Sequence, residues 1–156
     1  MTVAEPLHIY VPGPARGKGR HRIGQGRAYT PRATAETEKE IAWEARRAMK
    51  GRAVLAGPLK LVCEALYEVP PSWSKRKMAE LVAAGGWKTS KPDGDNISKL
   101  LADALNPKRD KSTKKLLPPI VWQDDSQVVD WRIIKRYTLA GLAEGLYITI
   151  SELGGK

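Results

Sequence analysis

The sequence predicts one α/β domain over residues 1–156, of the α+β kind, in which helices cover a mixed β-sheet. The chain of 156 residues has the usual length of a single domain. Segments that alternate between apolar and polar residues indicate strands, and apolar stripes at helical spacing lie between them. No internal repeat and no linker divides the chain, so we expect a single core.

The first half of the chain predicts a strand, a helix and a second strand. Residues 7–11 alternate and are bounded by proline and glycine, which indicates a strand. Thr34 and Thr37 offer N-caps for a helix that reaches Lys50. Residues 59–69 alternate again, which predicts a half-buried strand.

The second half predicts two helices followed by two strands. Ser72 or Ser74 caps a short helix that ends at a pair of glycines. A third helix starts near Asp95 and carries an apolar stripe at i, i+3, i+4 and i+7, typical of a helix laid on a core. Residues 127–137 and 146–151 indicate the last two strands.

Composition excludes several classes of protein. Lys plus Arg is 27 and Asp plus Glu is 17, so the formal net charge is +10 and a polyanionic partner is favoured. The single cysteine, Cys63, lies on an apolar strand face and excludes a disulfide framework, while His8 and His21 lack the spacing of zinc ligands. No apolar run approaches the roughly 20 residues of a membrane span. Since no signal peptide precedes the first strand, we expect a cytoplasmic protein.

The positive charge lies in two segments, the basic Gly-rich loop 12–31 and the basic insertion 107–120. Glycine lets a backbone approach a phosphate closely, and spaced Lys and Arg neutralise phosphates, so both segments are predicted to bind a nucleic-acid backbone. Prolines and clustered like charges disfavour regular structure in the insertion, where we expect a mobile loop. The candidate DNA-binding residues are Arg16, Lys18, Arg20, Arg22, Arg27, Lys108, Arg109, Lys111, Lys114 and Lys115.

Acidic residues gather at two places. Asp93 and Asp95 stand two residues apart before the third helix, in a segment that we expect to be extended, with both side chains on one face. Lys99 follows one helical turn beyond Asp95. Asp124 and Asp125 precede a strand, and at most one of them is expected to join the first pair. Carboxylates held together repel unless a cation neutralises them, and oxygen ligands favour Mg²⁺ or Mn²⁺.

Simpler interpretations of these features stay open. Asp95 and Asn96 are preferred N-cap residues, and Asp124 with Asp125 fits an ordinary turn. A basic loop can also be solvated without a partner. On those interpretations the chain is a non-catalytic basic nucleic-acid-binding module. Asp-x-Asp occurs in sugar-nucleotide transferases too, but the basic segments and the lack of a recognisable nucleoside pocket argue against that class.

Two runs of sequence carry a family resemblance: residues 91–105, KPDGDNISKLLADAL, and residues 122–130, WQDDSQVVD. Together with residues 17–22, 29–31 and 71–74, they resemble the RusA family of Holliday-junction resolvases. That family is found in bacteria and in their phages and prophages. The resemblance covers nearly the whole chain, and it implies a single RusA-like nuclease domain.

The resemblance also implies an activity, a cofactor and an assembly. RusA-family homodimers bind four-way DNA junctions and make paired symmetric nicks with Mg²⁺ in recombination and repair. We therefore expect a Mg²⁺-dependent endodeoxyribonuclease in which Mn²⁺ substitutes and no organic cofactor acts. The resemblance implies that Asp93, Asp95 and Asp125 bind the metal and that Lys99 is needed for cleavage. Asp124 is a weaker candidate.

The chain departs from the family pattern at two positions. Gly94 stands between the paired acids, where family members often carry a larger apolar residue, and this predicts a looser metal loop. The insertion 107–120 lengthens a connection that is commonly a few residues long in the family. Neither departure touches a carboxylate, so cleavage remains the expected activity.

Overall fold

The computed structural model describes residues 4–14, 32–138 and 141–154, together with the backbone of 22–24 and 27–29. The predicted strands and helices are all present, and a short pair of strands within the basic Gly-rich loop was not predicted. The elements are β1 (Leu7–Pro12), β2 (Arg22–Gly24), β3 (Arg27–Tyr29), α1 (Arg32–Ala48), β4 (Leu59–Tyr67), α2 (Lys75–Ala83), α3 (Gly94–Leu105), a 3₁₀ turn (Asp125–Gln127), β5 (Val128–Tyr137) and β6 (Gly145–Glu152).

The main sheet is mixed, as predicted, with the strand order β1-β6-β4-β5. β6 pairs antiparallel with both β1 and β4, whereas β4 pairs parallel with β5. A parallel pair needs a crossover connection, and α3 lies in the connection between β4 and β5. β2 and β3 form a separate antiparallel pair. The outermost strand on one side of the main sheet is therefore β5.

The core lies between one face of this sheet and the helices α1 and α3. Along β4, Leu59, Leu61, Cys63 and Ala65 are fully buried, which confirms the predicted half-buried strand. Burial raises the pKa of the Cys63 thiol to about 12, so this residue is part of the core, as predicted. None of the helices in the described ranges is long and apolar enough to cross a bilayer.

The buried stripe of α3 packs this helix into the core, against α1 and β5. Ile97, Leu100, Leu101 and Leu105 have no exposed surface, which confirms the predicted third helix. Burying a side chain of this size stabilises a fold by about 1.5–3 kcal/mol. The orientation of α3, and of the residues at its N-terminus, is therefore set by the core.

The predicted start of α1 is wrong, because neither Thr34 nor Thr37 is its N-cap. The helix begins at Arg32, so Thr34 lies inside it and is buried. The Thr37 hydroxyl donates to the Ala33 carbonyl at 2.9 Å, a bond within the helix and not a cap. The threonine hydroxyl can bond to backbone groups inside a helix as well as at its N-terminus. A threonine is therefore an ambiguous signal for the start of a helix.

The helix α2 begins as predicted but stands apart from the core. The Ser74 hydroxyl oxygen accepts a hydrogen bond from the Lys77 amide at 3.1 Å, which confirms Ser74 as the N-cap. All residues of α2 are described, and none of them is buried. The segment is attached through Trp73, whose ring lies 5.1 Å from that of Tyr137.

The insertion 107–120 contains no helix or strand, as predicted, but a hydrogen-bonded turn organises it, and its mobility stays a prediction. One carboxylate oxygen of Asp110 accepts hydrogen bonds from the amides of Thr113 and Ser112, at 2.8 and 2.9 Å. These bonds lower the pKa of Asp110 to about 2. Arg109 and Leu116 then pair across the turn as an antiparallel bridge. Local hydrogen bonds of this kind stabilise a turn whatever the charge of its other side chains.

Candidate active site

Asp93 and Asp95 lie at the N-terminus of α3. Asp93 is the N-cap residue, with extended backbone, yet its carboxylate makes no capping hydrogen bond. Asp95 lies in the first turn of α3, so the predicted extended segment is wrong because the helix already begins at Gly94. The simple interpretation of Asp95 and Asn96 as N-caps is wrong, because both residues lie inside α3. The Asp93 carboxylate stands at the positive end of the helix and is available to a ligand.

Lys99 lies beside this pair. Its Nζ is 3.8 Å from Oδ2 of Asp95, which confirms the predicted spacing of one helical turn. Both side chains are about two-thirds exposed, at 66% for Lys99 and 68% for Asp95. Exposed pairs of this kind are weak, so the ammonium group of Lys99 is free to turn toward an anionic ligand.

Lys135 positions the segment that leads to Asp93, and the sequence analysis missed it. Its Nζ donates to the carbonyl oxygens of Ser90 and Pro92, both at 2.8 Å. On β5 it shares a strand face with Ile133, which packs against the core. A lysine on a strand face that packs against the core needs hydrogen-bond partners for its ammonium group. The position of Lys135, two residues after Ile133 in a predicted strand, was therefore the signal in the sequence.

Gly94 rests directly on β5. A Cβ atom added to Gly94 would lie 3.7 Å from Cβ of Ile133, an ordinary van der Waals contact. The segment is thus held by Ile133 below it and by the Lys135 hydrogen bonds before it. The residues around Gly94 therefore have defined contacts with β5, and the looser metal loop stays a prediction.

Asp124 and Asp125 have different roles in the 3₁₀ turn. The Asp124 carboxylate accepts a hydrogen bond from the Ser126 amide at 3.0 Å, and the Gln127 side chain accepts one from the Asp124 amide at 3.2 Å. The hydrogen bonds with Ser126 lower the pKa of Asp124. Among the described residues, none donates a hydrogen bond to the Asp125 carboxylate. The turn interpretation therefore holds for Asp124 and leaves Asp125 available.

A single chain gathers only part of the predicted metal site. Asp93, Asp95 and Lys99 lie together at one end of α3. At the other end, the Asn106 side chain accepts a hydrogen bond from the Trp122 indole at 2.6 Å, and the chain continues from there to Asp125. In the described ranges, no group of three or more His, Cys, Asp or Glu side chains is arranged to hold a metal ion.

Comparison with known proteins decides the family. The family model for endodeoxyribonuclease RusA matches residues 12–151. The chain belongs to the RusA family. It is also similar to the uncharacterized protein YqaN of Bacillus subtilis (strain 168), at 32% identity over 87 residues. That match covers 54% of this chain and 53% of YqaN, so the chain spans about half the length of this curated relative.

The RusA match includes both basic segments. Of the candidates in the first segment, Arg16, Lys18 and Arg20 lie outside the described residues, and Arg22 and Arg27 are described only in their backbone.

The insertion of this RusA-family chain docks on α1 through its first lysine. Lys108 Nζ lies 3.8 Å from Glu38 and also donates to the Asp103 carbonyl at the end of α3. Arg109 donates to the Lys114 carbonyl at 3.1 Å across the turn. Beyond these contacts, residues 111–118 are solvent-exposed and form the tip of the insertion. Its basic residues are Lys111, Lys114 and Lys115.

Proposed function

We propose that the protein is a Mg²⁺-dependent, structure-selective endodeoxyribonuclease that resolves Holliday junctions by paired symmetric nicks in DNA recombination and repair. The observation that carries this proposal is the Asp93 carboxylate, which occupies an N-cap position without capping. It stands beside Asp95 and Lys99, within the stretch that matches the RusA family model. A structural cap would use that carboxylate, whereas a catalytic site leaves it available.

The proposed reaction is hydrolysis of a phosphodiester bond. Water attacks phosphorus, and the bond to the leaving 3′ oxygen breaks. Mg²⁺, for which Mn²⁺ substitutes, would supply an activated water and offset charge on the scissile phosphate. Asp93, Asp95 and Asp125 are the proposed ligands, although one chain does not bring all three together. Lys99 would offset developing negative charge, and a preorganised group of this kind is worth roughly 3–4 kcal/mol.

The proposed partner is a four-way DNA junction bound by a homodimer. A junction arranges its strands with two-fold symmetry, so a two-fold dimer places one site on each of two opposed strands. The basic Gly-rich loop and the tip of the insertion would bind the phosphate backbone and orient it. Because this substrate forms during recombination of bacterial or phage DNA, we propose a cytoplasmic location.

Cleavage of a synthetic junction tests the proposal directly. Wild-type protein and Asp125→Asn are incubated with a four-way junction or with a duplex of matched sequence, with and without Mg²⁺. We expect symmetric nicks only in the junction, only with Mg²⁺ and only with the wild type. Ca²⁺ should support binding without efficient cutting, because its larger and looser ligand shell positions water poorly. Junction binding without any cleavage would indicate the non-catalytic binding module, and equal cleavage of the duplex would contradict junction selectivity.

The tip of the insertion gives a prediction for binding. Lys111→Ala, Lys114→Asn and Lys115→Ala combined should flatten the slope of log K against log salt by about 3, since each lost phosphate contact changes it by roughly 0.9. Asparagine is chosen at position 114 because Lys114 has a φ of +61°, which asparagine tolerates. Fluorescence anisotropy across a salt series measures the slope. Cleavage at saturating protein should change little. An unchanged slope would show that the tip faces away from DNA.

A further inference from the structure

The insertion 107–120 and α1 border a groove, which we call the insertion groove. Its first cavity has a volume of about 350 Å³. The apolar side chains that line this cavity are Ala35, Ala42, Ala104 and Ile120. Cavities of this size are typical of binding sites, and the apolar lining calls for a ligand with apolar groups.

A second cavity continues the insertion groove along α1. It has a volume of about 480 Å³ and shares Arg46 and Ile120 with the first cavity. Its apolar lining includes Met49, just after α1, and Leu117 in the insertion. The helical path from Ala35 to Met49 is about 21 Å long. An extended peptide of about six residues has the same length.

The insertion leaves large apolar side chains in water at the groove. Leu117, which lines the second cavity, is 43% exposed, and its neighbour Leu116 is 55% exposed. Apolar side chains grouped within a polar rim mark contact sites for other proteins. Burial of apolar surface stabilises a contact by about 25 cal/mol per Å², so an apolar partner that covers these leucines is favoured.

The rim of the insertion groove is positively charged. Lys39 and Arg46 line the first cavity, are exposed, and form no ion pair with any residue that the structure describes. By contrast, Arg32 and Arg47 on the same helix each pair with a glutamate. The acidic residue of the lining, Glu38, is paired with a lysine of the insertion at 3.8 Å. The groove therefore keeps a net positive charge.

We propose that the insertion groove binds a short, extended, acidic segment of another protein. Apolar side chains of that segment fill the two cavities, and its carboxylates lie beside Lys39 and Arg46. An acidic segment without apolar side chains would leave the cavities unfilled, and an uncharged apolar segment would leave both cations unpaired. The proposal does not rest on the proposed function, because it uses none of the residues of the candidate active site.

The lining of the groove favours a peptide over DNA, the other polyanion that Lys39 and Arg46 could contact. A phosphate backbone would pair with these cations, but it presents no apolar side chain to the cavities. The basic residues at the tip of the insertion, Lys111, Lys114 and Lys115, line neither cavity. The proposed DNA contact and the insertion groove are therefore separate surfaces, which substitutions can test one at a time.

Binding of a synthetic peptide tests the groove without relying on nuclease activity. The probe is a fluorescein-labelled peptide of leucines separated by pairs of aspartates, LDDLDDL, and fluorescence anisotropy measures its binding to the full chain. One control peptide replaces every leucine with alanine, and the other replaces every aspartate with asparagine. We expect the probe to bind, and each control peptide to bind at least about tenfold more weakly. No binding of the probe, or equal binding of the alanine peptide, would overturn the proposal.

Ala35→Trp blocks the groove without changing the charge of the protein. Ala35 is only partly buried on α1 and lines the first cavity, so a larger side chain there fills the space that the peptide would occupy. Ala79→Trp is the matched control, because it adds the same side chain to an exposed position of α2. We expect Ala35→Trp to weaken probe binding at least about tenfold and Ala79→Trp to bind like the wild type. Unchanged probe binding by Ala35→Trp would contradict the proposal.

Lys39→Ala combined with Arg46→Ala distinguishes a protein partner from DNA. We expect the double variant to bind the probe at least about tenfold more weakly, with an unchanged salt dependence of junction binding. If probe binding is unchanged and the slope of log K against log salt for the junction flattens by about 1.8, the two cations contact DNA and the proposal is wrong. A dimer of the wild type that dissociates in Ala35→Trp, measured by sedimentation, would make a second copy of this chain the occupant and would also overturn it.

Discussion

Asp93→Asn should abolish nicking of a four-way junction while junction binding persists. The substitution removes one negative charge from the N-terminus of α3 and leaves both basic segments unchanged. Removal of one charge-stabilising group from an active site typically costs about 10²–10³-fold in rate, and we expect at least that loss. Binding should stay equal or tighten, since a negative charge that faces the phosphates is gone. Single-turnover cleavage at saturating protein, together with a binding titration in Ca²⁺, separates the two effects.

Asp124→Asn is the matched control for this prediction. It removes the same charge from an acidic position whose carboxylate serves the 3₁₀ turn, and asparagine is as good an N-cap as aspartate, so that turn should persist. We expect the control to nick at close to the wild-type rate. Cleavage by Asp93→Asn at the wild-type rate would remove Asp93 from the proposed metal site. An equal loss of nicking rate in both variants would indicate that removal of any negative charge, and not of the Asp93 carboxylate in particular, slows cleavage.

Lys99→Ala should reduce the cleavage rate far more than the affinity for the junction. A group that offsets charge at the reacting phosphate is worth roughly 3–4 kcal/mol, or a few hundred-fold in rate. By contrast, Lys99 is one of 27 basic residues, so the attraction for DNA should barely change. Lys99→Gln should resemble Lys99→Ala. The rate at saturating protein and the dissociation constant at two salt concentrations provide the comparison.

Lys75→Ala serves as the control for Lys99→Ala. Lys75 also lies on a helix, and α2 buries none of its residues, so the substitution removes the same charge without disturbing a core. Its cleavage rate should match that of the wild type. If the affinity of Lys99→Ala fell in proportion to its rate, Lys99 would instead be a contact to the DNA backbone. Its place beside Asp95 would then have no catalytic meaning.

The periodicity of apolar residues was enough to predict the main strands and the helices. That signal is local, because the spacing of apolar residues within one segment indicates a strand or a helix without any knowledge of the segments that pack against it. The stripe of α3 is the clearest case, since Ile97 and Leu101 are buried as their spacing predicts. Helix ends and turns were less predictable. Thr34 proved to be an internal residue of α1, and Asp110 organises a turn in the basic insertion that was not predicted.

Within the candidate site, the sequence by itself placed Asp95 beside Lys99. These residues are four apart in one helix, so a local rule sets their separation. It also identified Asp93 as a neighbour of that pair. It did not identify Lys135, whose hydrogen bonds to the Ser90 and Pro92 carbonyls connect residues more than 40 positions apart.

Only the tertiary structure decided where Asp125 lies relative to Asp93. Both residues stand in motifs that resemble one family, and the sequence analysis grouped them in one site. The parallel pairing of β4 with β5 makes α3 run back against the strands, so the residue before the helix and the residue before the strand are at opposite ends. The direction of a crossover is a property of strand pairing, which joins segments far apart in the chain. For that reason the distance between the two carboxylates follows from the topology of the sheet, while the identity of the carboxylates follows from the sequence.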